Sequence, residues 1–209
     1  HNHHEEMPVS GVTILHMHKT MLNIANYLYG GQYKKEDNLI MEVDTSGKRK
    51  VRFRPVAAKD TESAMEQLML AYMEARTNPN INQLLLIPCV ILDFLCIHPF
   101  DDGNGRVSRL LSLLLLYKNE YDICKYVSFE EQINHSKEYY YQALYESSQK
   151  WHENENNYIP FMESFLLTLY KCYKELDQRF SVINGKRLKK NERIEQTVLN
   201  SVLPISKAE

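Results

Sequence analysis

The sequence contains few residues that interrupt regular secondary structure. Its 209 residues include only 7 glycines and 7 prolines, too few for the many turns that a sandwich or barrel of short strands requires. With 44% hydrophobic and 25% charged residues, the composition is that of an ordinary globular protein and not of a disordered or fibrous one. These scarcities favour one large, mainly helical domain.

The chain also lacks a dominant charge and an apolar run long enough to cross a membrane. Its formal net charge is −2, so no overall field attracts nucleic acid or anionic lipid, and any anion site must be local. The apolar runs at 84–97 and 110–117 are shorter than the roughly 20 residues that span a bilayer, and they indicate buried helices. No signal peptide is recognisable, and we expect no membrane partner.

Cysteine is scarce and shows no metal-binding or redox spacing. The four cysteines form no C-x-x-C pair, and each lies among apolar or aromatic neighbours, as buried thiols do. This pattern is typical of a protein in the reducing cytoplasm, which we take as the expected location.

Apolar periodicity predicts six helices and one hairpin. Residues 38–56 alternate apolar and polar positions on both sides of Ser46 and Gly47, which predicts a β-hairpin. Tyrosine-rich stretches near the end of the chain have helical spacing, so we expect their aromatics to be packing residues. The predicted fold class is all-α with a small β-hairpin. The predicted helices are 10–29, 61–77, 82–97, one from about 104, 129–153 and 159–179.

The two ends of the chain are expected to lie outside the main domain. The opening "HNHHEE" resembles an expression tag, so residues 1–8 are excluded from the fold. Residues 9–185 are the predicted domain. The basic stretch 186–193 predicts a linker and solvated helix face. The final "LPISKAE" resembles a helix start, so we expect residues 186–209 to include the beginning of a truncated C-terminal domain.

The stretch "CIHPFDDGNGRVSRLL" at 96–111 concentrates polar chemistry in a short segment. Gly103 and Gly105 surround Asn104 in a tight turn that opens onto a predicted helix. Unpaired backbone N–H groups and the helix dipole both favour an anion at such a turn. The turn therefore predicts a phosphate site.

Two arginines follow this turn on one helix face. Arg106 and Arg109 are three residues apart and can reach the same ligand, and their guanidinium groups suit phosphate oxygens. Cations at a helix N-terminus oppose the dipole unless an anion joins them. The pair therefore implies a ligand with more than one phosphate group.

Asp102 and His98 complete the candidate site. Because Asp102 cannot bind phosphate directly, its natural partner is a Mg²⁺ ion shared with the phosphates. A neutral His98 could take a proton from an incoming hydroxyl, although a histidine here could instead only bond a backbone carbonyl. Together these residues predict a phosphoryl-transfer site built on positioning and charge stabilisation.

"HPFDDGNGR" followed by Arg109 resembles the signature of the Fic proteins, His-Pro-Phe-x-(Asp/Glu)-Gly-Asn-Gly-Arg-x-x-Arg, at every specified position. A looser similarity extends over about 10–185. The resemblance implies protein AMPylation, in which AMP passes from ATP to a Ser, Thr or Tyr hydroxyl of a target protein. It implies that His98 is the general base and that Asp102 is the Mg²⁺ ligand. The anion hole would be formed by Gly103, Asn104 and Gly105. Arg106 would contact the phosphates, Arg109 would contact the γ-phosphate, and Phe100 would anchor the loop.

Two further details of the family bear on this chain. The Doc kinase branch has a lysine where this chain has Gly105. In this position the chain resembles the AMP-transferring branch. The hairpin resembles the family's flap, which pairs with an extended segment of the target. The pairing stretch would be Val51, Arg52, Phe53 and Arg54; the alternative is an ordinary hairpin that only covers the core.

Many Fic proteins carry an inhibitory helix, (Ser/Thr)-x-x-x-Glu-(Gly/Asn), whose glutamate pairs with the second arginine of the signature. This pattern is absent from the sequence. We therefore expect an inhibitory helix removed from this chain or supplied by a partner, with auto-AMPylation as the result. A homo-oligomer is also open.

Two alternatives keep other functions open. Some Fic relatives transfer UMP, phosphate or phosphocholine, and nothing in the motif recognises the base. A second alternative is a nucleotide-sensing regulator that binds DNA only through a missing C-terminal domain. Its support is the basic tail and "RIEQTVLNSVLPISKAE", which resembles the start of the winged helix found after some Fic domains.

Overall fold

The fold is a bundle of α-helices with one β-hairpin, in a computed structural model that describes residues 6–25, 30–43 and 47–184. The predicted class, all-α with a small hairpin, is confirmed. Short 3-10 turns lie at Ala58–Asp60, Asp122–Lys125 and Trp151–Glu153. The elements in order are α1 (Gly11–Ile24), β1 (Ile40–Val43), β2 (Arg49–Phe53), α2 (Thr61–Thr77), α3 (Gln83–Ile97), α4 (Asn104–Lys118), α5 (Phe129–His135), α6 (Lys137–Ser148) and α7 (Ile159–Asn184).

Helix α3 lies at the centre of the bundle and packs against α2, α4, α6 and α7. Nine of its 15 residues are buried, because the segment is apolar on nearly all sides and no face needs water. Burial on every side fixes the axis of α3. The residues at its C-terminal end therefore rest on a rigid element.

The two long apolar runs are core helices, as their lengths predict. One lies within α3 and the other within α4, where Leu111, Leu115 and Leu116 are fully buried. Within the described part of the chain, no helix is both long enough and apolar enough to cross a membrane.

Side-chain caps begin α1 and α3, whereas Asp60, a predicted cap of α2, makes no side-chain cap bond. Ser10 Oγ accepts the backbone N–H of Thr13 at 3.2 Å before α1. Asn82 Oδ1 accepts that of Leu84 at 2.9 Å before α3, so the predicted start of this helix is confirmed. Such caps satisfy N–H groups that have no partner inside the helix.

The prediction of a single helix over 129–153 is wrong. The segment divides into α5, α6 and a 3-10 turn. At Ser136 the backbone leaves the helical region (φ −126°, ψ 35°), and its hydroxyl donates to the carbonyl of Gln132 at 3.0 Å. At Lys150 the backbone is left-handed, with φ 57°. Side-chain bonds to nearby backbone compete with the helix ladder here, and periodicity of apolar residues does not register them.

Other boundaries shift less. The described part of the first predicted helix ends at Ile24, and residues 26–29 lie outside the described residues. Helix α7 continues five residues beyond the predicted end at 179. The predicted tag lies largely outside the described residues, as do the predicted linker and C-terminal domain, so these stay predictions.

The hairpin contains a β-bulge. Ile40 pairs with Phe53, whereas the next residue, Met41, pairs with Val51, so Arg52 is the extra residue on β2. A bulge bends its strand and redirects the side chain at the extra position. The bulge therefore decides where Arg52 points, which sequence alternation alone could not show.

All four cysteines are free thiols. Cys96, Cys124 and Cys172 are buried, and Cys89 is half-buried. Burial raises the pKa of Cys89 to about 11, which keeps this thiol protonated at neutral pH. The predicted interior position of the cysteines is thus observed for three of them.

Candidate active site

His98 ends helix α3 in a left-handed conformation. Its φ is 52° and its ψ is 61°, and its N–H donates to the carbonyl of Phe94 at 2.9 Å. Pro99 follows, and a residue before proline is disfavoured in the α-helical region. A left-handed conformation costs a non-glycine residue about 1–2 kcal/mol, and residues held this way cluster at functional sites. The local sequence therefore stops the helix at His98.

The two ring nitrogens of His98 have different surroundings. Nδ1 lies 3.2 Å from the carbonyl oxygen of Leu95, and a carbonyl only accepts, so Nδ1 carries the proton in this bond. Nε2 is then an acceptor in the neutral ring. Burial lowers the pKa of His98, and Lys34 lowers it further, against the Leu95 bond and Asp102, which raise it. The hydrogen bond from Nδ1 to Leu95 is thus compatible with a role of Nε2 as a base.

The loop after His98 is fastened through Phe100. The ring of Phe100 is fully buried and stacks on His18, with centroids 3.8 Å apart and planes 13° apart. Asn104 bridges its backbone: Oδ1 accepts the N–H of Phe100 at 2.9 Å, and Nδ2 donates to its carbonyl at 2.7 Å. Asn38 donates to the same carbonyl at 3.1 Å. The side chain of Asn104 is therefore committed to the loop, and only its backbone N–H is left for an anion.

Gly103 is the N-cap of α4 and adopts φ 84°. The first backbone bond of the helix runs from the N–H of Val107 to the carbonyl of Gly103 at 2.9 Å. The N–H groups of residues 104–106 precede this bond, and no acidic side chain lies in the first turn. The N–H of Gly103 itself donates to Asp102 Oδ1 at 2.6 Å. The backbone donors at this helix start that an anion could engage are therefore those of residues 104–106.

Each predicted phosphate-binding arginine contacts a carboxylate. Arg106 Nη2 lies 2.9 Å from Asp102 Oδ2, and Arg109 Nη2 lies 2.9 Å from Glu130 Oε1 of α5. The Nε of Arg109 is buried and has no hydrogen-bond partner among the described residues. Both guanidinium groups thus lie at the start of α4, held by acids that an anionic ligand could replace.

A cavity of about 300 Å³ is lined by His98 and by Gly105 of the first turn of α4. Its walls come from the hairpin, the end of α3, the first turn of α4 and helix α6. The apolar and aromatic surfaces suit a planar ring, and the few polar groups could fix its orientation. The lining residues include Met41, Arg52, Phe53, His98, Gly105 and Tyr145.

A model of the Fic/DOC family matches residues 8–116, just over half of the chain. The chain belongs to the Fic/DOC family. Members of this family transfer nucleotide or other phosphate-containing groups to proteins. No curated protein matches the chain.

Solved Fic structures share the fold. A Fic family protein from Desulfovibrio desulfuricans G20 is 21% identical with a TM-score of 0.66, over 96% of this chain and 60% of that one. A Fic domain containing signaling protein from Bacteroides thetaiotaomicron VPI-5482 is 20% identical with a TM-score of 0.58, over 80% and 63%. BepC from Bartonella tribocorum, a VirB-translocated effector with bound AMPPNP, is 13% identical with a TM-score of 0.50, over 76% and 73%.

These identities show the fold alone. The chain spans less than two thirds of the length of the first two proteins.

The predicted flap residues of this Fic domain fall into two places. Arg52 and Phe53 line the cavity that contains His98. Val51 and Arg54 do not; they lie, with parts of Arg52 and Phe53, along a second groove of about 250 Å³ between β2 and residues 148–153.

The hairpin is fastened to the helical body at two points. Arg52 Nη2 donates to the carbonyl of Tyr141, and its guanidinium lies 5.0 Å from the centroid of the Tyr145 ring. His152 Nε2 donates to the carbonyl of Arg54 at 2.7 Å, and its ring stacks on Phe53 with centroids 5.5 Å apart. Strand β2 is therefore fastened both to α6 and to the 3-10 turn at Trp151–Glu153.

A Mg²⁺ ion has one candidate ligand in this Fic site. The carboxylate of Asp102 is 66% exposed beside the start of α4. Among the described residues no group of three or more His, Cys, Asp or Glu side chains could hold a metal. Mg²⁺ commonly takes one or two carboxylates together with substrate phosphates, so the single Asp102 fits an ion that arrives with a nucleotide.

Three residues at this site were missed by sequence reasoning: His18, Lys34 and Asn38. His18 Nδ1 accepts the N–H of Gly31 at 3.1 Å, and its Nε2 donates to the carbonyl of Asp102 at 3.2 Å. Each of the three contacts the motif loop from a distance of more than 60 residues along the chain. Local spacing carries no signal of such contacts.

Proposed function

We propose that the chain is a protein adenylyltransferase, which transfers AMP from ATP to a Ser, Thr or Tyr hydroxyl of a target protein and uses Mg²⁺. One observation carries the proposal. His98 Nε2 is left as an acceptor in a residue that lines the same cavity as Gly105, at the anion-binding start of α4. A base and a phosphate site therefore adjoin one cavity.

The start of α4 would hold the phosphates of ATP. The N–H groups of residues 104–106 would donate to phosphate oxygens, and Arg106 and Arg109 would exchange their present carboxylate partners for phosphate. Release of Arg106 frees the Asp102 carboxylate, which would then hold Mg²⁺. The ion, when bound, neutralises charge on the phosphate oxygens.

His98 would act as general base. The target hydroxyl gives its proton to Nε2 while its oxygen bonds to the α-phosphorus of ATP, and the bond from that phosphorus to the leaving pyrophosphate breaks. A base must be neutral to accept the proton. Burial favours the neutral form of His98, as the lowered pKa indicates.

The hairpin would align the target. Main-chain pairing along β2 can hold many different sequences in one extended register, so that only the hydroxyl needs accurate placement. The contacts of Arg52 with α6 and of His152 with Arg54 set the position of this strand. The free thiols fit a reaction in the reducing cytoplasm.

The test is incubation of a cell lysate, and of the purified protein alone, with Mg-ATP, followed by mass spectrometry. We expect AMP adducts on Ser, Thr or Tyr of a target and on the protein itself, and none with His98→Ala. His135→Ala, which changes an exposed histidine on α5, is the matched control. AMP adducts in equal amounts with His98→Ala would refute the assigned base, and phosphate adducts would refute the reaction.

The donor is tested separately. Competition of labelled ATP with UTP and GTP measures which base the cavity accepts, and phosphocholine donors are included. Preferred use of UTP or of a phosphocholine donor would replace adenylyl transfer by another Fic-type transfer on the same residues.

A further inference from the structure

Lys34 is a buried lysine beside the candidate base. Its residue is only 3% exposed. Its backbone N–H donates to the carbonyl of Pro99 at 2.9 Å, and its Nζ donates to the carbonyl of Ile97 at 3.2 Å. These two carbonyls belong to the residues immediately before and after His98. Nζ also donates to Asn38 Oδ1 at 2.9 Å.

Burial of a lysine among neutral acceptors needs an explanation. Lysine is almost never buried unless it is paired with an acid, and all the hydrogen-bond partners of Nζ that the structure gives are neutral oxygens. Burial accordingly lowers the pKa of Lys34, against Asp37 and Asp101, which raise it. A residue retained at such a cost is a candidate for a functional role.

The position of Nζ matches what the end of α3 requires. The last four carbonyls of a helix lack intrahelical partners, and a cation is favourable near them. Ile97 is the last residue of α3, and His98 then turns into the left-handed region. Such a conformation persists only where surrounding contacts enforce it. Nζ of Lys34 bonds the carbonyl before this turn, and the backbone N–H of Lys34 bonds the carbonyl after it.

We propose that Lys34 is a positioning residue for the candidate base: its side chain holds the Ile97 carbonyl just before the left-handed turn at His98, beside the backbone bond to Pro99 just after it, and its positive charge keeps the imidazole neutral. The contribution of Lys34 to catalysis rests on the proposed function. The effect of Lys34 on the position and charge of His98 does not rest on it, because that effect can be measured on His98 itself.

Other groups also act on His98. Lys34 lowers its pKa and Asp102 raises it, so loss of the lysine charge should raise the pKa, and the acidic limb of the activity profile should move to higher pH. The remaining ionisable groups that line the cavity are unchanged by the substitution. They are Arg52 of β2, Cys96 of α3, and Tyr141 and Tyr145 of α6.

The experiment compares Lys34→Met and Lys34→Arg with Lys35→Met, which alters the neighbouring exposed lysine. The imidazole of His98 is titrated by NMR, and its signal is assigned by its absence from His98→Ala. We expect the midpoint to rise in Lys34→Met, to return towards the wild-type value in Lys34→Arg, and to stay unchanged in Lys35→Met. Transfer at high pH should fall about tenfold in Lys34→Met through misplacement of the base, with the Kd for ATP unchanged.

An unmoved midpoint in folded Lys34→Met overturns the proposal. If that variant does not fold, Lys34→Gln takes its place, because glutamine keeps a donor but no charge; an unmoved midpoint there overturns it equally. A raised midpoint in a protein that transfers AMP to nothing would refute the proposed function and leave the role of Lys34 intact.

Discussion

Arg109 of α4 and Glu130 of α5 form a salt bridge, with Nη2 2.9 Å from Oε1. The Fic resemblance assigns Arg109 to the γ-phosphate of ATP, so a carboxylate of the same domain holds the guanidinium that the nucleotide would bind. Glu130 lies in the first turn of α5, two residues after the cap Ser128. Its surrounding sequence does not match the inhibitory pattern of the family. The acid that pairs with this arginine therefore comes from α5, which has no inhibitory signature in its sequence.

Glu130→Gln should tighten ATP binding. Neutralising the carboxylate frees Arg109 for the γ-phosphate, and a partly exposed ion pair is worth up to about 1 kcal/mol, or about fivefold in Kd. Isothermal titration calorimetry with Mg-ATP measures the change. Glu131→Gln, at the adjacent exposed glutamate, is the control and should leave Kd unchanged. Weaker binding by Glu130→Gln would show instead that Glu130 orients Arg109 for the ligand.

Gly103→Ala should destabilise the protein and weaken ATP binding. Gly103 has φ 84°, a conformation that costs alanine about 1–2 kcal/mol. The added Cβ would lie 2.6 Å from the terminal methyl of Met21, which can move because it ends a flexible side chain. Gly47 has φ 81° and no atom within 4 Å of an added Cβ, so Gly47→Ala is the matched control.

Urea denaturation should give similar losses in stability for both glycine variants. Only Gly103→Ala should raise the Kd for ATP, because residue 103 caps α4 at the end proposed to bind phosphate. Unchanged ATP affinity in Gly103→Ala would contradict the assignment of this helix start to phosphate.

Protonation of His18 should lower the free energy of unfolding in mild acid. Its two bonds, to Gly31 and Asp102, require the neutral ring, and burial lowers its pKa from the ordinary value of 6.5. The unfolded chain then binds a proton more readily than the folded one. His18 therefore has no pH effect well above 6.5 and reduces stability as pH falls from there towards the folded-state pKa.

The measurement is urea unfolding at pH 7.5 and at pH 5.5. His18→Phe keeps a ring against Phe100 but removes both hydrogen bonds, at a cost of about 1–3 kcal/mol at pH 7.5. Its loss of stability between the two pH values should be smaller than that of the wild type. His16→Phe, at an exposed position of the same helix, should behave as the wild type. Equal losses in His18→Phe and wild type would refute the protonation argument.

His152→Ala should weaken binding of the target protein and leave binding of the nucleotide unchanged. The variant removes the bond to the Arg54 carbonyl and the ring stacked on Phe53, so β2 is less well held. We expect KM for the target found by mass spectrometry to rise about fivefold, the worth of about one hydrogen bond, with the Kd for ATP unchanged. His152→Phe should restore the stacking part. A change in kcat alone would argue against alignment by the hairpin.

Local patterns were sufficient for most of the helices and for the motif. Helix α2 has the predicted bounds, 61–77, and α3 starts within one residue of its predicted start at 82, because apolar spacing acts over a few residues. The break at Ser136 was not predictable in this way, because a serine within a polar and aromatic run disfavours a helix only weakly. The alternation of 38–56 predicted the hairpin but not the bulge at Arg52.

By itself, the sequence determined the fold class, the family and the short segment that contains His98, Asp102, the two glycines and the two arginines. It could do so because those residues lie within one loop and the first turns of one helix. Only the tertiary structure decided that His18, Lys34 and Asn38 hold the loop, that Glu130 meets Arg109, and that Arg52 turns towards α6. These contacts join residues far apart in the chain, and they arise from packing around α3 that no local periodicity encodes.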